Sequence, residues 1–566
     1  MRITNKCLLG SMLLALACES HDQEPVIDHA PFSDTKDTSP PTAEDEFSGA
    51  AIRTEGHMKL DEGAAGKPAQ LSRQQAIEQA RTAGIPGSEA RGNFGYGRHG
   101  FGTGGIANLT DGSGRDTFRD HGKNPWVSAK QDRISTFAAD VDTASYTLGR
   151  RFLQQGQFPT PASVRVEEYV NYFRYAFPAP TADTPFAVVM DAAPSPFSAD
   201  RHIVRVGVTT RVTSATERQP ANLVFLVDVS GSMQSPDKLA LAQKSLRILT
   251  ENLRDGDSVA LVTYAGDTRV VLPATGMQHR TRILAAIDAL SAEGSTAMGS
   301  GLDLAYREAM KGLRPGVTSR VVVLSDGDAN VGPQGPEEIL KIIAGRASEG
   351  VTLTTVGFGM GNYQDETMEQ LADKGNGNNF YIDTLEAATK VFHKDLVATL
   401  EVVAKDVKLQ VDFDPAMVSR YRLVGYENRE IADKDFRNDK VDAGEIGAGH
   451  QVTALYEVEL TAVGKQAAAP IGAVRTRHKA PRGTKAIETA FPMIGGPASS
   501  LVAASSDFRF AFAVAAFADV LRGNEGSKNW SLKSIRDLAS ANAGIDVERL
   551  GFVKLVDRAI ALRAAS

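Results

Sequence analysis

The sequence predicts a Rossmann-like, doubly wound α/β domain inserted between strands of a β-sandwich, with a small α/β cap ahead of it and a helical lobe behind. Three patterns carry that prediction. Between residues 219 and 400, apolar runs of strand length alternate with helix-length segments, the arrangement of a parallel sheet covered on both faces. Ahead of that block, Val204, Val206 and Val208 alternate with Arg205 and Gly207, the period-two signature of a half-buried strand. Behind it the same alternation returns at Val407, Leu409, Val411 and Phe413, and again at Val452, Ala454, Tyr456, Val458 and Leu460. If these flanking strands share one sandwich, the strand at 203–212 pairs with a strand after residue 405.

At 566 residues the chain is too long for a single core. Its only cysteines are Cys7 and Cys18. Residues 1–17 read as a signal peptide: Arg2 and Lys6 precede an apolar stretch from Cys7 to Ala17 that is too short to span a bilayer. The run Leu14-Ala15-Leu16-Ala17-Cys18 resembles the lipobox of bacterial lipoproteins, which implies a lipidated Cys18 and export to the cell envelope. Residues 18–115 are polar and end in a glycine-dense run, the composition of a disordered tether. About 100 flexible residues reach roughly 55 Å. One short helix around Gln70 to Thr82 interrupts it.

Residues 116–218 read as an N-terminal α/β and β module, with helices through Tyr146, Arg150 and Phe152 and from Val164 to Phe173. In the 219–400 unit the expected strands are Leu223 to Val227, Ser258 to Tyr264, Val270 to Pro273, Val321 to Leu324 and Leu353 to Phe358. The intervening helices are expected near Lys238 to Leu253, Arg282 to Leu290, Gly301 to Leu313, Glu337 to Ala347 and Asp365 to Leu371. Leu239, Ala242, Leu246, Leu249 and Leu253 fall on one helical face and read as core. Residues 401–505 read as β-rich, and 506–566 as a helical C-terminal lobe opened by Phe508, Phe512, Ala515 and Phe517. Trp126, Trp530, Tyr169, Tyr172 and Phe173 read as packing.

The chemistry concentrates at Asp228-Val229-Ser230-Gly231-Ser232, which follows the apolar run Leu223 to Val227. A buried strand that delivers a carboxylate and two hydroxyls on a tight turn suits a hard cation held by oxygen. Asp326 ends a second buried run and is followed by Gly327, while Gly294-Ser295-Thr296-Ala297 opens a helix and brings the Thr296 hydroxyl toward the same edge. In an open α/β sheet, ligands collect outside the carboxyl ends of the strands where strand order reverses. Oxygen-only donors favour Mg²⁺, admit Mn²⁺ or Ca²⁺, and exclude a thiolate or imidazole metal.

These residues resemble the metal-ion-dependent adhesion site of the von Willebrand factor A domain, a DxSxS motif completed by a distant Thr and Asp. The resemblance implies that Ser230, Ser232 and Thr296 contact the cation and that Asp228 and Asp326 bind it directly or through water. It also implies a coordination position left for an Asp or Glu of a protein partner. Ser135 to Tyr146, the Arg165-Val166-Glu167-Glu168 helix and the C-terminal lobe are similar to bacterial A-domain lipoproteins with an N-terminal module before the A domain and a further region after it. Removal of residues 1–17 takes Arg2 and Lys6 from the 62 basic residues, leaving 60 against 69 acidic ones, a net charge of −9 that argues against nucleic acid as partner.

Two other readings compete. A structural scaffold whose metal only stiffens a loop needs the same residues. A phosphotransfer enzyme would use Asp140 in Asp140-Val141-Asp142-Thr143-Ala144, but the fifth position lacks the threonine of that nucleophile loop, and a helix N-cap explains the Asp and Thr as well. His202, His279 and His393 lack motif partners, and Gly299-Ser300-Gly301 lacks the strand-to-elbow context of a nucleophilic serine.

Overall fold

The computed structural model describes residues 116–139, 142–181, 184–212, 218–295, 297–327, 336–395, 398, 400–441, 443–481 and 483–565. Strands β1 (Val127–Ser128), β2 (Ile134–Ala138), β3 (Phe186–Pro194) and β4 (His202–Thr210) come first, with helices Ala144–Gln154 and Val166–Asn171 between β2 and β3. Next come β5 (Ala221–Asp228), β6 (Ser258–Tyr264), β7 (Thr268–Gly276), β8 (Thr318–Ser325), β9 (Val351–Phe358) and β10 (Asn379–Ile382). Then follow β11 (Val402–Phe413), β12 (Val418–Val424), β13 (Glu445–Gly447), β14 (Gln451–Leu460), β15 (Gly472–Lys479) and β16 (Ala486–Pro492). Helices Ser506–Leu521, Leu532–Asn542 and Val547–Ala565 end the described chain.

The central sheet has the order β10-β9-β8-β5-β6-β7. β5 is buried along its whole length because both its faces are covered. Leu223, Phe225 and Val227 share one apolar layer with Leu239, Ala242, Leu246 and Leu249 of the helix Leu239–Asn252. Val224 and Leu226 belong to the opposite layer, with Met298, Leu302, Ala305 and Tyr306 of the helix Met298–Lys311. The two-residue period of the strand thus explains the unbroken apolar run. All neighbours in this sheet pair in parallel except β6 and β7. Sequence alternation favoured a parallel sheet, and at its β7 edge the short connection 265–267 leaves room only for a hairpin, so β7 runs back along β6. β10 was not anticipated: it is four residues long and emerges from the Gly/Asn-rich stretch 375–379.

Two antiparallel sheets flank this unit, one ordered β1-β12-β14-β4-β3 and the other β13-β11-β15-β16, with β2 also paired to β11. Each draws strands from both sides of the 219–400 block. β4 pairs with β14 from His202↔Val458 to Thr209↔Gln451, so the α/β unit is inserted between sandwich strands. The two sheets share one apolar core that includes Val204, Val206, Leu409, Val411 and Tyr456. At the insertion's base the Gln219 amide donates to Glu401 Oε2 at 3.1 Å, which brings entry and exit together.

The terminal helices pack on the cap. Phe173 meets Phe510 and Phe552 edge to face with centroids 5.2 and 5.6 Å apart, inside a cluster that also buries Tyr146, Tyr169 and Trp530. Ser505 caps the helix Ser506–Leu521, accepting from the Phe508 amide at 3.1 Å.

Buried charge joins these parts. The Arg165 guanidinium donates to Glu168 and to both oxygens of Asp365, while Arg429 donates to Asp142 at 3.1 Å and to Asp373. Removing one partner from such a network strands buried charge. Arg165→Met is therefore expected to lower stability by about 3–5 kcal/mol, read as a fall in the urea midpoint. A change under about 1 kcal/mol would show that this guanidinium does not hold the cap to the inserted unit.

Glu167 is buried beside Glu427, whose carboxylate accepts from Arg522 Nη1 at 2.9 Å. Burial first, and the like charge of Glu427 second, raise the Glu167 carboxyl from 4.5 to about 7. The folded chain then holds this proton more tightly than the unfolded chain does. Stability from it is fully present below pH 4.5 and is lost as pH rises through about 7. Glu167→Gln keeps the neutral form, so it should stabilise the protein at pH 8 by about 3 kcal/mol, with the gain vanishing toward pH 4.5. Thermal midpoints at the two pH values read the difference; an equal shift at both would contradict the assignment.

Candidate metal-binding site

The chain places β5 at the middle of its sheet, then adds β6 and β7 on one side before crossing to β8 on the other. Strand order therefore reverses between β5 and β8, and a crevice opens at their carboxyl ends. Register pairs Val227 with Leu324, which sets Asp228 beside Ser325 and brings Asp326 next along the chain. Ser325 Oγ donates to Asp228 Oδ2 at 3.2 Å and itself accepts from the Gly327 amide at 3.0 Å. Gly327 has a φ of +83°, and a Cβ there would stand 2.6 Å from the Tyr363 ring, so the turn after Asp326 requires glycine.

After Asp228 the chain turns sharply. Asp228 Oδ1 accepts from the Ser230 amide at 2.9 Å, and a short 3₁₀ turn, Gly231–Gln234, follows. Met233 is fully buried in the core beneath, which anchors that turn. Ser230 Oγ and Ser232 Oγ lie 3.0 Å apart. The loop before the helix Met298–Lys311 closes over them, with the Gly231 amide donating to the Gly294 carbonyl at 3.0 Å and the Glu293 amide to the Val229 carbonyl at 2.6 Å.

Asp228, Ser230 and Asp326 are buried, and Ser232 is half-buried. Burial raises the Asp228 carboxyl to about 6 against the Ser230 hydroxyl and amide, which pull it down, and Asp326 adds a like charge. An ammonium reaches this pair from Lys238, whose Nζ donates to Asp326 Oδ2 at 2.9 Å and to Asn362 Oδ1 at 3.3 Å. Sequence reasoning did not single out Lys238, Ser325 or Asn362. Ser325 adjoins Asp326 in the motif, whereas Lys238 and Asn362 meet it only through the fold.

The donor set suits a hard divalent ion. The two serine hydroxyls hydrogen-bond to each other at 3.0 Å, a separation close to the roughly 2.9 Å between neighbouring oxygens of an octahedral Mg²⁺ with bonds of about 2.0–2.1 Å. Among the described residues no group of three or more His, Cys, Asp or Glu side chains is placed to hold a metal, and the oxygen donors gathered here are two carboxylates and two hydroxyls. Thr296 lies outside the described residues, as do Asp140 and Cys18. The neighbouring Ser295 is described and lies beside Gly266, on the same edge of the sheet.

Residues 222–394 match the von Willebrand factor type A domain family, and residues 113–205 match a family described as von Willebrand factor. Fold and matches together define a von Willebrand factor type A domain protein, of a family whose members commonly bind proteins through a divalent metal. Residues 398–562 match the family described as uncharacterized protein YfbK, C-terminal. YfbK of Escherichia coli (strain K12) is 41% identical over 462 residues, which is 77% of this chain and 80% of that protein. The chain belongs to the YfbK family. The Synechocystis protein sll0103 is 27% identical over 191 residues, 34% of this chain and 44% of its own. A solved von Willebrand factor type A structure from Catenulispora acidiphila covers 68% of this chain and 91% of its own, at 18% identity and a TM-score of 0.40.

Asp228→Ala is expected to abolish Mg²⁺ binding in isothermal titration calorimetry. An unchanged titration would remove these residues as donors.

Proposed function

We propose that the protein is a divalent-metal-dependent protein-binding module of the bacterial cell envelope, held to the membrane by a lipid at Cys18. The observation that carries the reading is the pair of hydroxyls, Ser230 and Ser232, set 3.0 Å apart beside two buried carboxylates at the point where strand order reverses. Asp228 and Asp326 hold negative charge beneath the site, and Ser325 orients Asp228. The half-buried Ser232 marks the side open to solvent. Thr296 joins this donor set by the family resemblance. A bound Mg²⁺, with Mn²⁺ or Ca²⁺ as substitutes, would supply electrophilic attraction for an Asp or Glu of a partner protein. The reading is of an adhesion or scaffold module and not of an enzyme.

Pull-down from envelope extract tests it, comparing wild type and Asp326→Ala in Mg²⁺ and in excess EDTA. Capture by wild type in Mg²⁺ alone, lost in the variant, is the expected result. Capture that persists in EDTA would favour a scaffold whose metal only stiffens a loop.

A further inference from the structure

Lys238 ends the turn that follows Gln234 and leads straight into the helix Leu239–Asn252, where its carbonyl accepts from the Ala242 amide at 2.8 Å. Its side chain is buried, an expensive place for an ammonium unless it has an opposite charge and hydrogen bonds. It has both, in Asp326 Oδ2 and Asn362 Oδ1. The aliphatic stem crosses Gly359, whose φ is +68°; a Cβ there would stand 2.4 Å from both Lys238 Cγ and Cε. The backbone is thus shaped to receive this lysine.

The loop that forms the slot is itself held from outside the inserted unit. Asp116 Oδ1 accepts from the Gly361 amide at 2.9 Å and the Tyr363 amide at 2.7 Å, and the Thr117 amide donates to the Tyr363 carbonyl at 3.0 Å. Asp116 is buried at this contact. A line of hydrogen bonds therefore runs from the N-terminal module through residues 359–363 to the carboxylate of Asp326.

We propose that Lys238 is a built-in counter-cation that occupies one oxygen of Asp326, weakens the site's hold on a divalent ion, and leaves a loaded site with surplus positive charge for an acidic partner. Two carboxylates alone would neutralise a divalent ion, and the site would then attract a third carboxylate weakly. With the ammonium beside it, the same loaded site carries a net positive charge at short range in a poorly screened setting. Lys238 is in this sense a positioning residue, because it acts through Asp326, and Asp116 sets where it acts. The inference rests on the metal-binding reading above.

Titration of the full chain with Mg²⁺ by calorimetry, together with thermal midpoints in EDTA and in excess Mg²⁺, tests it in wild type, Lys238→Met and Asp116→Ala. Lys238→Met removes the charge at similar length and should bind Mg²⁺ at least tenfold more tightly, with Asp116→Ala shifting affinity the same way by a smaller factor. The Met variant should also melt below wild type in EDTA and recover in Mg²⁺, because its Asp326 then depends on the ion. Unchanged or weaker Mg²⁺ binding by Lys238→Met, or a midpoint equally low with and without Mg²⁺, would make the lysine merely structural and overturn the inference. Absence of Mg²⁺ binding in wild type and variant alike would instead overturn the metal-binding reading, and this inference with it. Binding by the Met variant but not by wild type would support the lysine's role while overturning metal-dependent capture by wild type.

Discussion

The antiparallel ladder between β4 and β14 is the constraint on which the architecture depends. A chain that leaves this sheet at Thr210 and re-enters it at Val418 must fold what lies between into a unit whose ends lie close together. The inserted α/β unit meets that condition at the contact of Gln219 with Glu401, and a second link from Thr318 Oγ1 to the Leu400 carbonyl at 3.0 Å ties the exit to β8. Both flanking sheets then complete a core that neither flank could fill alone.

Fixing the base of the inserted unit leaves its opposite edge for chemistry. β5 and β8 run parallel and in register, so two carboxylates arrive side by side where the chain changes direction. Neighbouring loops then determine what surrounds them: Ser325 from below, the 293–294 loop from one side, and the Lys238 ammonium from another. The edge is also where the N-terminal module reaches in through Asp116, so the surroundings of the site belong to more than one part of the chain.

Much of this was legible in the sequence where one local pattern determines one structure. Strands covered on both faces show continuous apolar runs, and Asp228 and Asp326 stand out because each follows such a run. The return of period-two alternation on both sides of the block disclosed the insertion. Apolar alternation is the same in either strand direction, so it does not disclose that β7 is antiparallel; the shortness of the 265–267 connection does. Lys238 was equally hidden. A lysine at the start of an amphipathic helix looks like any solvated charge until the fold brings Asp326 and Gly359 to it.

The aromatic cluster that joins Tyr146 and Phe173 to Phe510 and Phe552 has a consequence for biosynthesis. The early helices pack Tyr146, Tyr169, Tyr172 and Phe173 on one another, but Phe173 gains Phe510 and Phe552 only when the C-terminal helices have been made, so this core closes late. The inserted unit has its own apolar layers and can mature sooner. Assembly is thus ordered from the middle of the chain outward, and truncation near the C-terminus injures the N-terminal helices first.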